Sequence, residues 1–164
     1  MLYQAETVEQ VLPEMSSLNE LHYDEIATHK DLKVLKPDYD KYLEMERLGM
    51  LRVFTVRNQV EERGITTMAE GRYRGDLIGY FVTFISPHMH YSDCIYALND
   101  ILYIHPDYRG GTVGYRLFKE AMQDLRDNTE ATILCIHMKV EYPFRQLLGK
   151  LGFSLTEENW EVEL

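Results

Sequence analysis

A chain of 164 residues is the size of one domain, and a composition of 45% apolar and 27% charged residues is that of a globular protein. Its net charge of −10 excludes nonspecific nucleic-acid binding, which needs a surplus of Lys and Arg to displace counterions. No stretch is apolar enough to cross a bilayer, and the N-terminus "MLYQAETVEQ" lacks the basic-then-apolar order of a signal peptide. Cys94 and Cys135 sit in apolar surroundings without a CxxC, so they read as buried thiols rather than a metal or disulfide frame. The expectation is a cytoplasmic protein with no membrane partner.

In chain order, residues 2–6 read as a short strand. Val8, Val11, Leu12, Met15, Leu18 and Leu21 then recur at helical spacing, with Pro13 either setting the helix start near Leu12 or distorting it there. Pro37-Asp38 opens a second helix, with Tyr39, Tyr42, Leu43 and Leu48 as its apolar side and Gly49 as its stop. "LRVFTVR" (51–57) alternates as a strand does, and residues 58–74 read as a long hairpin connection or extended loop. "DLIGYFVTFIS" (76–86) is a buried strand ended by Pro87. "CIYALNDILYIHP" (94–106) is another, interrupted at Asn99-Asp100. After a Gly turn, Val113, Leu117, Phe118, Ala121, Met122 and Leu125 make one helical stripe. "ATILCIHM" (131–138) is an interior strand. Pro143 begins a helix that buries Leu147, Leu148 and Leu151 and stops at Gly152; residues 153–156 and 160–164 form a closing hairpin. This order predicts an α/β (α+β) fold in one domain, 1–164: a mixed, mostly antiparallel sheet flanked by helices.

The stretch "IHPDYRGGTVGYRL" (104–117) carries the chemistry. One reading is conformational: Gly110 and Gly111 only permit positive φ in a tight strand-to-helix turn. The other is an anion site. A helix starting near Thr112 offers unsatisfied N–H groups and a partial positive charge, small residues let an anion approach, and Arg109 adds a full charge. A P-loop is excluded, since no Gly-Lys-Ser/Thr occurs. The Gly-Gly-x-x-Gly spacing does not meet the dinucleotide fingerprint GxGxxG either.

"LYIHPDYRGGTVGYRL" resembles the acyl-CoA-binding motif of the GNAT superfamily of N-acyltransferases, which runs strand, turn, Arg or Gln-x-x-Gly-x-Gly or Ala, helix. Arg109, Thr112 and Gly114 match it, with Thr112 where the family usually has its first glycine and Gly111 beside it supplying room. The element order resembles that family as well, and "LLGKLGF" (147–153) matches its later aromatic-x-Lys-x-Gly-Phe segment at Lys150, Gly152 and Phe153. The segment "DILYIHPDYRGG" also looks like the small acetyltransferases encoded by bacteriophages.

The resemblance implies an acyl-CoA N-acyltransferase-like fold with acetyl-CoA (coenzyme A) as co-substrate. Its pyrophosphate would take N–H bonds from Gly110, Gly111, Thr112, Val113 and Gly114 beside Arg109. Its pantetheine would pair with the strand at Leu102 and Ile104, whose N–H groups could polarise the thioester carbonyl. Transfer to an amine by direct reaction in a ternary complex then needs a base, and an acid for the leaving thiolate. Asp100 is the candidate base: on an alternating strand it shares a face with Leu98, Leu102 and Ile104. The alternative is that Asn99-Asp100 marks a bulge whose carboxylate bonds to nearby backbone. The family's usual tyrosine position is Leu148 here, so Tyr142, near the start of that helix, is the candidate acid; ordinary packing is its alternative. Tyr39 and Tyr42 read as core, although in the family this region shapes the acceptor pocket. Glu141 reads as a solvated loop residue, and His88 and His90 lack the partner set of a metal site. The expected function is N-acetyltransferase. Its alternative is a non-catalytic binding or inhibitory protein that keeps the fold and CoA. The amine acceptor, small molecule or protein, and the oligomeric state, homodimer included, stay open.

Overall fold

The computed structural model describes residues 1–58 and 75–163. Beyond Asn58, the connection expected over 58–74 therefore lies outside the described residues, as does Leu164. The elements are β1 (Leu2–Glu6), α1 (Val8–Ile26), α2 (Tyr39–Arg47), β2 (Leu51–Asn58), β3 (Asp76–His88), β4 (Tyr91–Ile104), a 3-10 turn (Pro106–Tyr108), α3 (Val113–Asn128), β5 (Ile133–Cys135) and α4 (Arg145–Lys150). The five strands form one sheet in chain order, antiparallel from β1 to β4, with β5 parallel to β4.

Two apolar layers hold the sheet. On one face α1 lays Val8, Val11, Met15 and Leu18 against Val53, Tyr80, Val82 and Tyr103, with α2 packed beside them. On the other, Leu117, Phe118, Ala121 and Leu125 of α3 cover Phe54, Val56, Phe81 and Ala97, with Leu147, Leu148 and Leu151 at their edge. Each fully buried side chain of this size stabilises the fold by roughly 1.5–3 kcal/mol. The middle strands β2 and β3 are buried on both faces, so β2 lacks the exposed face that the alternation of 51–57 predicts, while β3 is the buried strand expected.

Several boundaries differ from the sequence reading, each for a local reason. α1 starts at Val8 and runs through Pro13: a reciprocal capping box between Thr7 and Gln10 fixes its N-terminus ahead of the proline. Its buried stripe continues through Asn19 and His22, leaving Leu21 47% exposed. Leu48 is the exposed C-cap of α2 rather than part of its apolar side. β3 extends past Pro87 to His88, and the ladder slips there because proline has no N–H to give. α4 begins at Arg145 after Phe144, two residues beyond Pro143, and its leucines are half-buried. Cys94 and Cys135 are likewise half-buried and free.

The larger departures are at the C-terminal side. β5 keeps only Ile133–Cys135 of the expected 131–138. Residues 153–163 form no strand, so the closing hairpin is absent among the described residues. Residues 160–163 instead make side-chain pairs with the segment after α1. Glu161 pairs with Lys33 at 2.9 Å and Glu163 with His29 at 2.9 Å, while Leu155, Trp160 and Val162 are each more than four-fifths exposed.

Candidate active site

The site grows from the point where β4 and β5 part. Their parallel pairing covers Tyr96–Ile133, Ala97–Leu134 and Leu98–Cys135, after which β4 runs on to Ile104 bonded to β3 alone. Asn99 stands at the parting. Its side-chain amide donates to the His137 carbonyl at 3.1 Å and accepts a short bond from the His137 N–H, doing the work of a peptide in the ladder. One residue later the β3–β4 register shifts: Val82 faces Ile101 and Thr83 faces Asn99, so Asp100 is the extra residue of a β-bulge.

The bulge inverts the alternation. Ile95 and Ala97 belong to the α3 layer before it and Leu102 and Ile104 after it, while Ile101 and Tyr103 join the α1/α2 layer. Asp100 thus does not share the face of Leu102 and Ile104. Its carboxylate meets the other layer, where Oδ2 accepts a short hydrogen bond from the Tyr42 hydroxyl of α2. The bulge alternative is the observed one, with a phenol and not the backbone as partner. Although solvent reaches Asp100, crowding by its neighbours pushes its carboxyl above the usual range, against the Tyr42 hydrogen bond. A raised but accessible carboxylate can take a proton from an incoming group.

At the end of β4 the backbone directions follow from one bond. His105 N–H donates to the Ile78 carbonyl on β3 at 2.8 Å, so residues 103 and 105 face β3, and Leu102 and Ile104 turn their polar groups to the parted edge. The Ile104 carbonyl is taken by Nε of Arg109 at 2.6 Å. The N–H groups of Leu102 and Ile104 are thereby left facing the opening.

The Gly turn follows. His105 caps the 3-10 turn, and Gly110 takes φ +84°, the left-handed conformation that glycine adopts without strain. Gly111 has no positive φ, and a side chain there would meet nothing within 4 Å beyond its chain neighbours, so the conformational reading explains Gly110 and leaves Gly111 unexplained. Thr112 is the N-cap of α3 without a side-chain cap bond, and the first turn carries no acid. Backbone N–H groups of Val113, Gly114 and Tyr115 therefore meet the opening with the helix's partial positive charge. A Cβ on Gly114 would meet Leu147 and Ile104 at 3.4 and 3.5 Å, ordinary contact that places α3 close against α4 and β4.

Arg109 points elsewhere. Its fork is bidentate to Glu25 at the end of α1, 2.5 and 2.7 Å, and its guanidinium lies 5.3 Å from the Tyr103 ring. Hydrogen bonding to Arg109 holds the Glu25 carboxyl below its ordinary range. Tyr142 comes to the same place, donating its hydroxyl to the Glu25 carbonyl at 2.9 Å. The structure thus joins Arg109 and Tyr142 through Glu25, and Asp100 to Tyr42; among the described residues no hydrogen bond or ion pair runs directly from one group to the other. Tyr42 and Glu25 are the residues that sequence reasoning missed as site members. The Tyr39–Tyr42 spacing signalled a shared face, but nothing in the sequence pairs Glu25 with Arg109, 84 residues away.

Between these groups His22 lies 4.9 Å from the Tyr103 ring, and burial pushes it down to about 4, so it is neutral at physiological pH. Cys135 does not have the environment of an activated nucleophile, since burial raises its thiol. His88 accepts the His90 N–H and stacks on Tyr91 in the β3–β4 hairpin tip. A cavity of about 790 Å³ lies at the opposite end of the sheet, around Met50, Ile85 and Asn128.

No known family's sequence profile matches the chain, and no curated protein does. Solved structures do. A Trypanosoma brucei acetyltransferase matches with TM-score 0.65 at 16% identity over 99% of this chain and 99% of that one. A ribosomal-protein-alanine N-acetyltransferase from Brucella melitensis biovar Abortus 2308 matches with TM-score 0.64 at 12% identity, over 99% and 98%. A "predicted acetyltransferase" from Clostridium acetobutylicum, crystallised with acetyl-CoA, matches with TM-score 0.62 at 13% identity, over 99% and 95%. This chain, then, has the fold of those acetyltransferases.

Proposed function

We propose that the protein is an acyl-CoA-dependent N-acyltransferase that transfers acetyl from acetyl-CoA to an amine within a ternary complex. The observation that carries this reading is the conjunction at the end of β4. A parted strand edge with the N–H groups of Leu102 and Ile104 facing out runs directly into an uncapped helix N-terminus with an unexplained glycine. The edge suits the pantetheine amides, and the N–H groups of Gly111 to Gly114 suit the pyrophosphate. The acetyl-CoA of the Clostridium structure supports the same assignment.

Acetyl-CoA supplies an acyl thioester, whose C–S bond breaks as the C–N bond to the amine forms. Leu102 and Ile104 would present N–H donors to a carbonyl oxygen at the parting. Asp100 would take the proton that the amine loses. Tyr142 can supply a proton to the thiolate only by giving up its bond to the Glu25 carbonyl. Arg109 would act first as a brace between the end of β4 and α1, keeping the turn in place. The raised Cys135 thiol favours direct transfer over an acyl-enzyme.

A second reading, CoA binding without transfer, is favoured by one fact: Leu148 fills the usual tyrosine position and packs in the α3 layer. The likeness to bacteriophage acetyltransferases rests on "DILYIHPDYRGG" alone. The readings separate in two measurements. Acetyl-CoA titrated calorimetrically should bind the wild type and not Gly111→Trp, which fills the cradle without straining the backbone. Labelled acetyl should then reach an amine in a panel of peptides, polyamines and small amines, and Asp100→Asn should lower turnover by ~10²-fold or more with CoA affinity unchanged. Absence of wild-type binding would end both readings; binding with no transfer to any amine would leave the second.

A further inference from the structure

We propose that Tyr42 is a positioning residue for acyl transfer: donated from α2, its hydroxyl fixes the carboxylate of Asp100 at the mouth of the strand parting. The inference rests on the acyltransferase reading above and adds a residue to it.

Three features lead there. Asp100 is the unpaired residue of the bulge, so the sheet's pleat does not set where its side chain points; a second anchor is needed. Tyr42 can be that anchor because its own ring is held, with ring centroids 6.1 Å from Phe84 and 6.4 Å from Tyr39. The phenol also stays a donor at every physiological pH, since burial and then Asp100 push its titration far upward. One hydroxyl carries one proton, so it occupies Oδ2 and leaves Oδ1 to receive the amine's proton.

The titratable groups facing Asp100 from the packed elements are Tyr42 on α2 and Tyr80 on β3, with Tyr39 behind Tyr42. Tyr80 donates its hydroxyl to Asn19 of α1 at 2.5 Å, and Asn19 in turn donates toward Tyr39 at 3.4 Å. This wall is phenolic, and among the described residues no cation bonds Asp100. The titration of Asp100 should therefore register the loss of a single hydrogen bond.

The test is Tyr42→Phe, which keeps the ring and removes the hydroxyl. The Asp100 carboxyl carbon, followed by NMR in protein carrying 13C-labelled aspartate and assigned by its absence in Asp100→Asn, should titrate ~0.5–1 pH unit higher. The acid limb of kcat/KM should move by the same amount. Loss of positioning should also lower kcat several-fold on the plateau, with KM for acetyl-CoA unchanged. An Asp100 titration indifferent to Tyr42→Phe overturns the proposal, and so does a shifted titration with an unchanged pH profile and kcat. The NMR arm needs no turnover. Failure of the transferase reading, seen as a wild type that acetylates no amine, is thereby distinguishable from failure of the Tyr42 pairing.

Discussion

Arg57 and Arg109 each fasten a strand end to α1 through a glutamate, in opposite surroundings. Arg57 is 1% exposed: it bonds Glu6 of β1 at 2.7 Å, Glu14 of α1 at 2.9 Å and the Gly75 carbonyl at 2.9 Å, tying β1, β2, α1 and the entry to β3 together. Arg109 is 40% exposed and bonds Glu25 in solvent's reach. The first is a structural knot, where removing one charge strands another in the interior. The second is screened, so its fork can be exchanged at little cost to the fold. The arginine beside the Gly turn is the one that stability can spare.

The largest effect should come from breaking the knot on one side. Arg57→Met removes the buried guanidinium that bonds Glu6 and Glu14, and about 3–5 kcal/mol of stability should be lost in urea unfolding followed by circular dichroism. Pairing it with Glu6→Leu should recover much of that loss. A double variant as unstable as the single would show that the knot's value lies in its geometry rather than its charge.

Acid should sharpen the contrast. His22 is held at about 4 against an ordinary 6.5, so the unfolded chain takes the proton first as pH falls. Its contribution is complete above pH 6.5 and is lost between there and about 4, on the order of 3 kcal/mol. Glu6 follows at lower pH. Burial pushes its carboxyl up, the bonds from Arg57 and Thr55 outweigh that, and the net lowering is stability lost as pH falls below 4.5 and through the folded value. His22→Asn should flatten the upper window and leave the lower one, measured as urea midpoints at stepped pH.

The smallest effect on stability should be at Arg109. Arg109→Ala should cost no more than ~1 kcal/mol, less still in high salt, because both partners are open to water. Acetyl-CoA affinity should nevertheless fall ~10-fold by calorimetry, through loss of the brace on the Ile104 carbonyl. A stability loss matching that of Arg57→Met would erase the distinction between the two arginines.

Local pattern made much of the fold legible. The helical stripe of α3 and the existence of β2 survive in the structure, because one element's own residues decide them. What sequence could not supply was pairing. Asp100 changed face because a bulge depends on the partner strand's register, which one strand cannot reveal. The apolar run 131–138 looked like a whole strand, but the Asn99 amide claims His137 and ends the ladder early. In the site, the turn was readable because its glycines act on their own backbone. The partners of Arg109 and Asp100 were not, since Glu25 and Tyr42 are brought in by the packing of α1 and α2 on the sheet.

The extended tail has a spectroscopic consequence. Trp160 is the chain's one tryptophan, 85% exposed on a segment where Glu161 meets Lys33 and Glu163 meets His29. Its indole is already in water in the folded state, so tryptophan emission is nearly blind to melting of the core. It should instead follow whatever settles on or lifts the last turn of chain, which makes it a built-in reporter of tail docking and a poor thermometer for the domain.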